Sequence, residues 1–243
     1  DRDGDDVVLV MEYAPGGSLA VKMRLFRDLG KQYDIEESLK IAHDIAAGMG
    51  ALHDLDAVHR DLKPSNILFD NRERAKIADF GLVQISGGPS LRSQLSRPHR
   101  HPGTPGYMSP EQENSGAYLR PSSDVYSLGL IMFEMLTGRI YLNQRSGTRV
   151  SDLRGDASFW LDELISQVLS PNPNERPWNG KEVERLLSQV QELEMAAQEI
   201  EIFQIDKQTD LGVRHQTKER KSQESHQINK EKNIIQKQTL SIL

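Results

Sequence analysis

Four polar side chains, Asp61, Lys63, Asn66 and Asp79, stand within the first third of this chain. Together they offer a carboxylate that can take a proton, a cation beside it, and an amide and a second carboxylate that supply hard oxygen ligands. Phosphoryl transfer asks for such a set. The transferred group spreads negative charge over its oxygens, so a protein contributes positive charge and in-line positioning more than covalent chemistry. Magnesium, which keeps several waters and takes one or two protein carboxylates, suits the oxygen pair. The four residues sit in two strings, His59-Arg60-Asp61-Leu62-Lys63-Pro64-Ser65-Asn66 and Asp79-Phe80-Gly81.

Either string alone reads as a polar turn, since Asp and Gly are common turn residues. What joins them is Asn66-Ile67-Leu68-Phe69 and Ala75-Lys76-Ile77-Ala78, two short strands around the turn Asp70-Asn71-Arg72. Helical periodicity organises residues 18–195. Asp34, with Glu37 three residues later, predicts a capping box opening a helix through His53. Along it Ile35, Leu39, Ala42, Ile45, Ala46, Met49 and Leu52 fall on one face. From Val125 to Leu136 apolar residues lie nearly all round, which predicts a helix buried at the centre of a lobe. Trp160 to Leu169 and Val183 to Leu193 repeat the three-and-four spacing on either side of the breaker Pro171-Asn172-Pro173-Asn174. Near the start, Val7-Val8-Leu9-Val10-Met11 reads as a buried strand. Pro15-Gly16-Gly17-Ser18-Leu19 reads as a turn, with Ser18 capping the next helix. The fold class is α+β, mainly α-helical, with short β-strands carrying the polar loops.

These strings, in this order, resemble the protein kinase family. The resemblance implies that Asp61 is the catalytic base and that Lys63 reaches the transferring phosphate. It implies that Asn66 and Asp79 hold Mg2+ on ATP. Arg60 resembles the arginine that pairs with an activation-segment phosphate, and His59, Phe80 and Gly81 resemble structural members of the two loops. Gly103-Thr104-Pro105-Gly106-Tyr107-Met108-Ser109-Pro110-Glu111 resembles the end of the activation segment, with Ser109 where Ala is more usual. Glu111 then pairs with Arg176 of Asn174-Glu175-Arg176-Pro177, and Asp124, opening the central helix, accepts backbone donors from the catalytic loop. Glu12-Tyr13-Ala14 resembles the hinge: backbone groups of Glu12 and Ala14 bond the adenine edge, Met11 flanks the pocket and Leu68 forms its floor. Lys63-Pro64-Ser65-Asn66, with Thr104, resembles the serine/threonine branch; a tyrosine-specific loop typically carries Arg or Ala there.

The resemblance divides the chain into residues 1–17, the last strand of an N-terminal lobe and the hinge, residues 18–195, the C-terminal lobe, and a polar tail, 196–243. No G-x-G-x-x-G occurs, so the phosphate-covering loop, the strand lysine and its glutamate partner are expected to be missing with most of the N-terminal lobe. The chain is therefore expected to be impaired alone, and opening on Asp it reads as a fragment. The alternative is a pseudokinase-like scaffold or binding module. Between Gly138 and Phe159 the sequence is short and polar, leaving little room for the family's substrate-docking helix. Ser86, Ser90, Ser93 and Ser96, among Arg92, Arg97 and Arg100, could carry a phosphate that draws in Arg60.

A formal net charge of -6 argues against nucleic acid or an anionic membrane surface as the main partner. The absence of cysteine excludes disulfides and thiolate metal sites and fits a reducing, cytoplasmic compartment. No apolar run approaches the roughly 18 residues of a membrane span. A protein bearing Ser or Thr is the expected substrate. Residues 206–243 are too polar to bury a core, though Ile234-Ile235 and Leu240-Ser241-Ile242-Leu243 offer a partner helix something to dock on. Asp1, Asp3, Asp5 and Glu12 mimic a calcium loop, but Asp6 stands where that loop needs Gly.

Overall fold

A computed structural model describes residues 2–3, 6–7, 10–79, 84–85, 104–113 and 119–197. Phe80, Gly81, the serines from Ser86 to Ser96, Gly103 and the tail beyond residue 197 lie outside the described residues. The chain forms two compact units, residues 1–193 and 194–243; in the second, residues 194–197 are described and helical.

Helix α1 (Leu19–Asp28) starts where the Ser18 hydroxyl accepts the Val21 N–H. Helix α2 (Ile35–His53) starts at Asp34, whose carboxylate accepts the N–H groups of Glu36 at 2.8 Å and Glu37 at 3.4 Å. The cap is therefore made by Asp34 alone, without the reciprocal glutamate bond of a full capping box. Helix α3 (Pro110–Glu113) is a single turn. Helix α4 (Pro121–Thr137) ends at Gly138, which takes the left-handed φ of 68° that favours glycine. Helix α5 (Phe159–Val168) and a final helix α6, residues 180–193, complete the first unit.

All residues of α4 from Ser122 to Thr137 are buried, and both α2 and α5 pack onto it. Leu39, Ile45 and Met49 of α2, Leu128, Ile131 and Phe133 of α4, Ile165 of α5 and Leu187 of α6 share one apolar core. Each such side chain contributes about 1.5–3 kcal/mol, so this core, more than the short strands, fixes the lobe. At Gly129 a side chain would come within 2.9 Å of Leu169, so glycine sets how close the segment after α5 lies to α4.

Among the described residues the strands form three antiparallel pairs. Strand β1 (Arg2–Asp3) pairs with β2 (Asp6–Val7), β3 (Ala57–Val58) with β6 (Gln84–Ile85), and β4 (Ile67–Phe69) with β5 (Ala75–Ile77). The β4–β5 hairpin sets Ile67 opposite Ile77, and Asp70 closes it by accepting the N–H groups of Arg74 and Arg72. Those two backbone bonds hold the Asp70 carboxyl below its ordinary range. The segment before α1 is tied to β4: Gly16 N–H donates to Phe69 O at 2.8 Å and Phe69 N–H to Gly17 O at 2.9 Å. Only glycine fits at position 16, where a Cβ would lie 2.7 Å from that of Phe69.

One expectation fails here. Of the run Val7 to Met11, Val7 ends β2 and Val8 and Leu9 lie outside the described residues, but Val10 and Met11 are in no strand and are 90% and 56% exposed. β-branched side chains are buried only where a second layer covers them, and among the described residues none does. The stretch between α4 and α5 holds a 3-10 turn, Tyr141–Asn143, and no α-helix, in keeping with its polar sequence.

Candidate active site

Strand β3 delivers the chain into a loop whose backbone is held by side chains from elsewhere. Asp124, 1% exposed at the start of α4, accepts the His59 N–H at 2.7 Å and the Arg60 N–H at 2.9 Å. Its Oδ2 also meets His53 Nε2 at 3.1 Å. A buried carboxylate is stable when its lone pairs are filled in this way. Arg60 and Asp79 take left-handed φ values of 72° and 62°. Non-glycine residues there store about 1–3 kcal/mol each unless the surroundings over-determine them, and they cluster at functional sites.

Asp61 lies between the two strained residues. One oxygen accepts Lys63 Nζ at 2.7 Å, the other the Thr104 hydroxyl at 2.8 Å, and Lys63 Nζ also donates to Thr104 Oγ1 at 2.6 Å. Asn66, 6% exposed, spends its NH2 group on the Asp61 carbonyl at 2.8 Å and on Oδ2 at 3.3 Å. Among the described residues its Oδ1 receives only the long 3.5 Å contact from Ser65. His59 Nδ1 accepts the Asp61 N–H, so Nε2 carries the ring proton and donates to the Ala78 carbonyl at 3.1 Å. Ala78 N–H in turn donates to Asn66 O at 2.8 Å, and the exposed Asp79 follows two residues beyond the end of β5. The chain thus brings Asp61, Lys63, Asn66 and Thr104 into one bonded group, with Asp79 adjoining it through the backbone.

In the segment before α1, Glu12 pairs with Lys76 at 2.7 Å and Ala14 is half-buried, and the half-buried Leu68 bridges to Ser18. Burial holds the Arg60 guanidinium below the ordinary arginine range, with Asp124 pulling the other way. Its Nε is buried with no acceptor among the described residues.

Glu111 and Arg176 form a bidentate pair at 2.7 and 2.9 Å. The remaining Arg176 donors reach the carbonyls of Ser170, Ser122 and Pro171, so all five are satisfied in a group 5% exposed. Burial pushes the Glu111 carboxyl up, but the bonds from Arg176, its own backbone and Ser123 outweigh it and leave the group below its ordinary value.

Three contributors were not read from the sequence. His53 is one, a lone histidine at a helix end. Gln112 is another: its amide NH2 donates to the Arg60 carbonyl at 2.8 Å, and its Oε1 accepts both the N–H and the hydroxyl of Ser109. The third is buried Glu134, which accepts the Tyr107 hydroxyl at 2.5 Å and Arg27 at 3.3 Å, tying the segment after Thr104 to α4 and α1. Ser109 in place of the usual alanine was the one signal pointing at Gln112; the other two join residues too distant in sequence to pair by inspection.

The lobe is built on one fully buried helix and gathers a carboxylate, a lysine and an amide at the mouth of a β-hairpin. The protein kinase domain family matches residues 2–201, and the chain belongs to the protein kinase family. It is 37% identical over 174 residues to cysteine-rich receptor-like protein kinase 6 of Oryza sativa subsp. japonica, covering 70% of this chain and 24% of that protein. It is 34% identical over 220 residues to the probable serine/threonine-protein kinase PBL15 of Arabidopsis thaliana, covering 79% and 50%. With PBL25 of the same plant the identity is 41% over 140 residues, 56% of this chain and 36% of that one. The chain spans half or less of the length of these relatives. No described helix is long and apolar enough to cross a membrane.

Proposed function

We propose that these residues are the hinge and C-terminal lobe of a serine/threonine protein kinase, which transfers the γ-phosphoryl group of ATP to a protein hydroxyl. The observation that carries this reading is the bonded group at Asp61, where Lys63 and Thr104 each hold one carboxylate oxygen. Asp61 in this role orients the substrate hydroxyl and receives its proton. Lys63, a compact cation on a flexible stem, is within reach of both Asp61 and an incoming phosphate. Thr104 fixes both, which suits a short serine or threonine side chain.

The donor set fits magnesium. The Asn66 NH2 group is committed to Asp61, which leaves Oδ1 as its ligand atom, and Asp79 adds one carboxylate; Mg2+ asks few protein ligands when phosphates supply the rest. When bound, the ion neutralises charge developing on the phosphate oxygens. For ATP, the backbone of Glu12 and Ala14 would meet the adenine edge, with Met11 and Leu68 on its faces. Buried Arg60 Nε is suited to a phosphate on one of Ser86, Ser90, Ser93 or Ser96. No G-x-G-x-x-G occurs among the 243 residues, so these residues alone should transfer phosphate poorly.

The test compares the chain extended upstream by a kinase N-terminal lobe with its Asp61→Asn form, using labelled ATP and a serine-containing protein. The extended chain should incorporate phosphate, with Asp61→Asn at least about 10²-fold slower. Equal incorporation by the two would overturn the reading.

A further inference from the structure

The peptide unit between Arg60 and Asp61 is held at both ends. Its N–H, on Asp61, donates to His59 Nδ1 at 3.3 Å, and its carbonyl, on Arg60, accepts Gln112 Nε2 at 2.8 Å. The preceding unit is held by Asp124 through the Arg60 N–H. The left-handed conformation of Arg60 is therefore fixed by two side chains from different elements, Asp124 of α4 and Gln112 of α3. Rotation about that residue would swing Asp61 away from Lys63 and Thr104, because the carboxylate is attached to the very unit that Gln112 grips.

Gln112 is in turn held on its other side. Its Oε1 accepts the Ser109 N–H at 3.0 Å and the Ser109 hydroxyl at 3.1 Å, and Gln112 and Ser109 are 8% and 0% exposed. An amide has one acceptor and one donor end, and here each has a single task. Ser109 orients the amide so that its NH2 faces Arg60; alanine at 109 would leave only the backbone donor to do so. The serine and the glutamine thus act as a matched pair.

We propose that Gln112 is a positioning residue for the base: it couples the end of the segment containing Thr104 to the backbone that aims Asp61, with Ser109 setting the direction of its amide. This inference rests on the kinase reading of Asp61, though the clamp itself does not. Displacement of residues 109–112 withdraws the clamp and lets the Arg60–Asp61 unit turn, so the order of that segment is read directly by the carboxylate.

The clamp is tested on the 243-residue chain by amide hydrogen exchange resolved by residue, comparing wild type, Gln112→Glu, Gln112→Leu and Ser109→Ala. Gln112→Glu keeps an acceptor for Ser109 and puts a second acceptor against the Arg60 carbonyl. It should speed exchange at Asp61 at least tenfold, while amides in the middle of α4, such as Leu128, stay protected. Gln112→Leu, apolar and of similar length, should do the same if the charged variant does not fold, and Ser109→Ala should give a smaller change of the same kind. Unchanged exchange at Asp61 in the folded variants, or loss of protection spread evenly over the lobe, overturns the proposal. The extended chain supplies the second readout: Gln112→Leu should lower kcat at least tenfold with KM for ATP within about twofold, and a kcat equal to wild type overturns it. If wild type and Asp61→Asn incorporate phosphate equally, the kinase reading fails, and the exchange result still decides the clamp.

Discussion

The backbone N–H of Gly180 donates to Nδ1 of His53 across 3.1 Å, and this bond decides which nitrogen faces Asp124. With Nδ1 accepting, the ring is neutral and its proton sits on Nε2, which donates to Asp124. Asp124 then has lone pairs directed at His59 and Arg60. The first residue of α6 is in this way connected, through one imidazole and one carboxylate, to the loop that carries Asp61.

Gly180 also lies where no other residue fits. A Cβ there would stand 2.3 Å from Gly50 N and 2.4 Å from Ala46 O, both backbone atoms of α2. Gly180→Ala must therefore push α6 off α2 and stretch the bond to His53. The expected cost is about 1–3 kcal/mol from overpacking, at the upper end because backbone cannot step aside. Urea denaturation should show a lower midpoint at unchanged slope.

Asp124→Asn keeps the shape and one acceptor but sets an NH2 group against a backbone N–H in a site closed to water. A buried donor left without an acceptor costs about 1–3 kcal/mol. The larger effect should be on function. Once His59 and Arg60 lose their anchor, the left-handed turn at Arg60 has less to hold it, so phosphate transfer by the extended chain should fall by more than the stability loss accounts for. Chemical denaturation and steady-state kinetics on the same preparation would check this.

The Glu111–Arg176 pair gives a pH dependence with a definite sign. The Glu111 carboxyl is held below its ordinary 4.5 in the folded chain, so the unfolded chain binds the proton more readily. Its contribution is complete above about pH 4.5 and is lost as pH falls through the lower, folded value. The stability gap between wild type and Glu111→Gln should be flat from pH 6 to 8 and narrow below about pH 4.5. Arg176→Lys should be costly throughout, because three donors on a point charge cannot replace a planar fork that reaches four groups and lies over the Tyr126 ring.

The sequence carried the parts of this lobe that depend on local spacing. Ser18 and Asp34 announce their helices because a side-chain oxygen before an apolar period has one use, and the all-round apolar run after Asp124 has no stable home except a core. The group around Asp61 was legible for a similar reason, since Asp61, Lys63 and Asn66 are near neighbours in the chain. What escaped notice depends on distance. Gln112 in a one-turn helix looks like any polar residue until the Arg60 carbonyl is found beside it, and Gly180 after an asparagine looks like a turn until α2 is seen against it. Val10 and Met11 misled because residue type specifies a wish for burial and says nothing about what is present to bury it.

Thr104 separates hydroxyl chemistry from shape at the site. Its Oγ1 donates to Asp61 and accepts from Lys63, so it links a carboxylate and an ammonium that also pair directly with each other. Thr104→Val preserves volume and removes both bonds, leaving Asp61 with one oxygen free to rotate toward water and Lys63 with one fewer acceptor. In the extended chain kcat should fall about 10–10²-fold, within the range that losing one positioned polar contact produces, with little change in KM for ATP. Thr104→Ser, which retains the hydroxyl, should recover most of the rate. Equal loss in both variants would mean that the methyl group matters and the hydroxyl does not, and the role of Thr104 in holding the base would have to be abandoned.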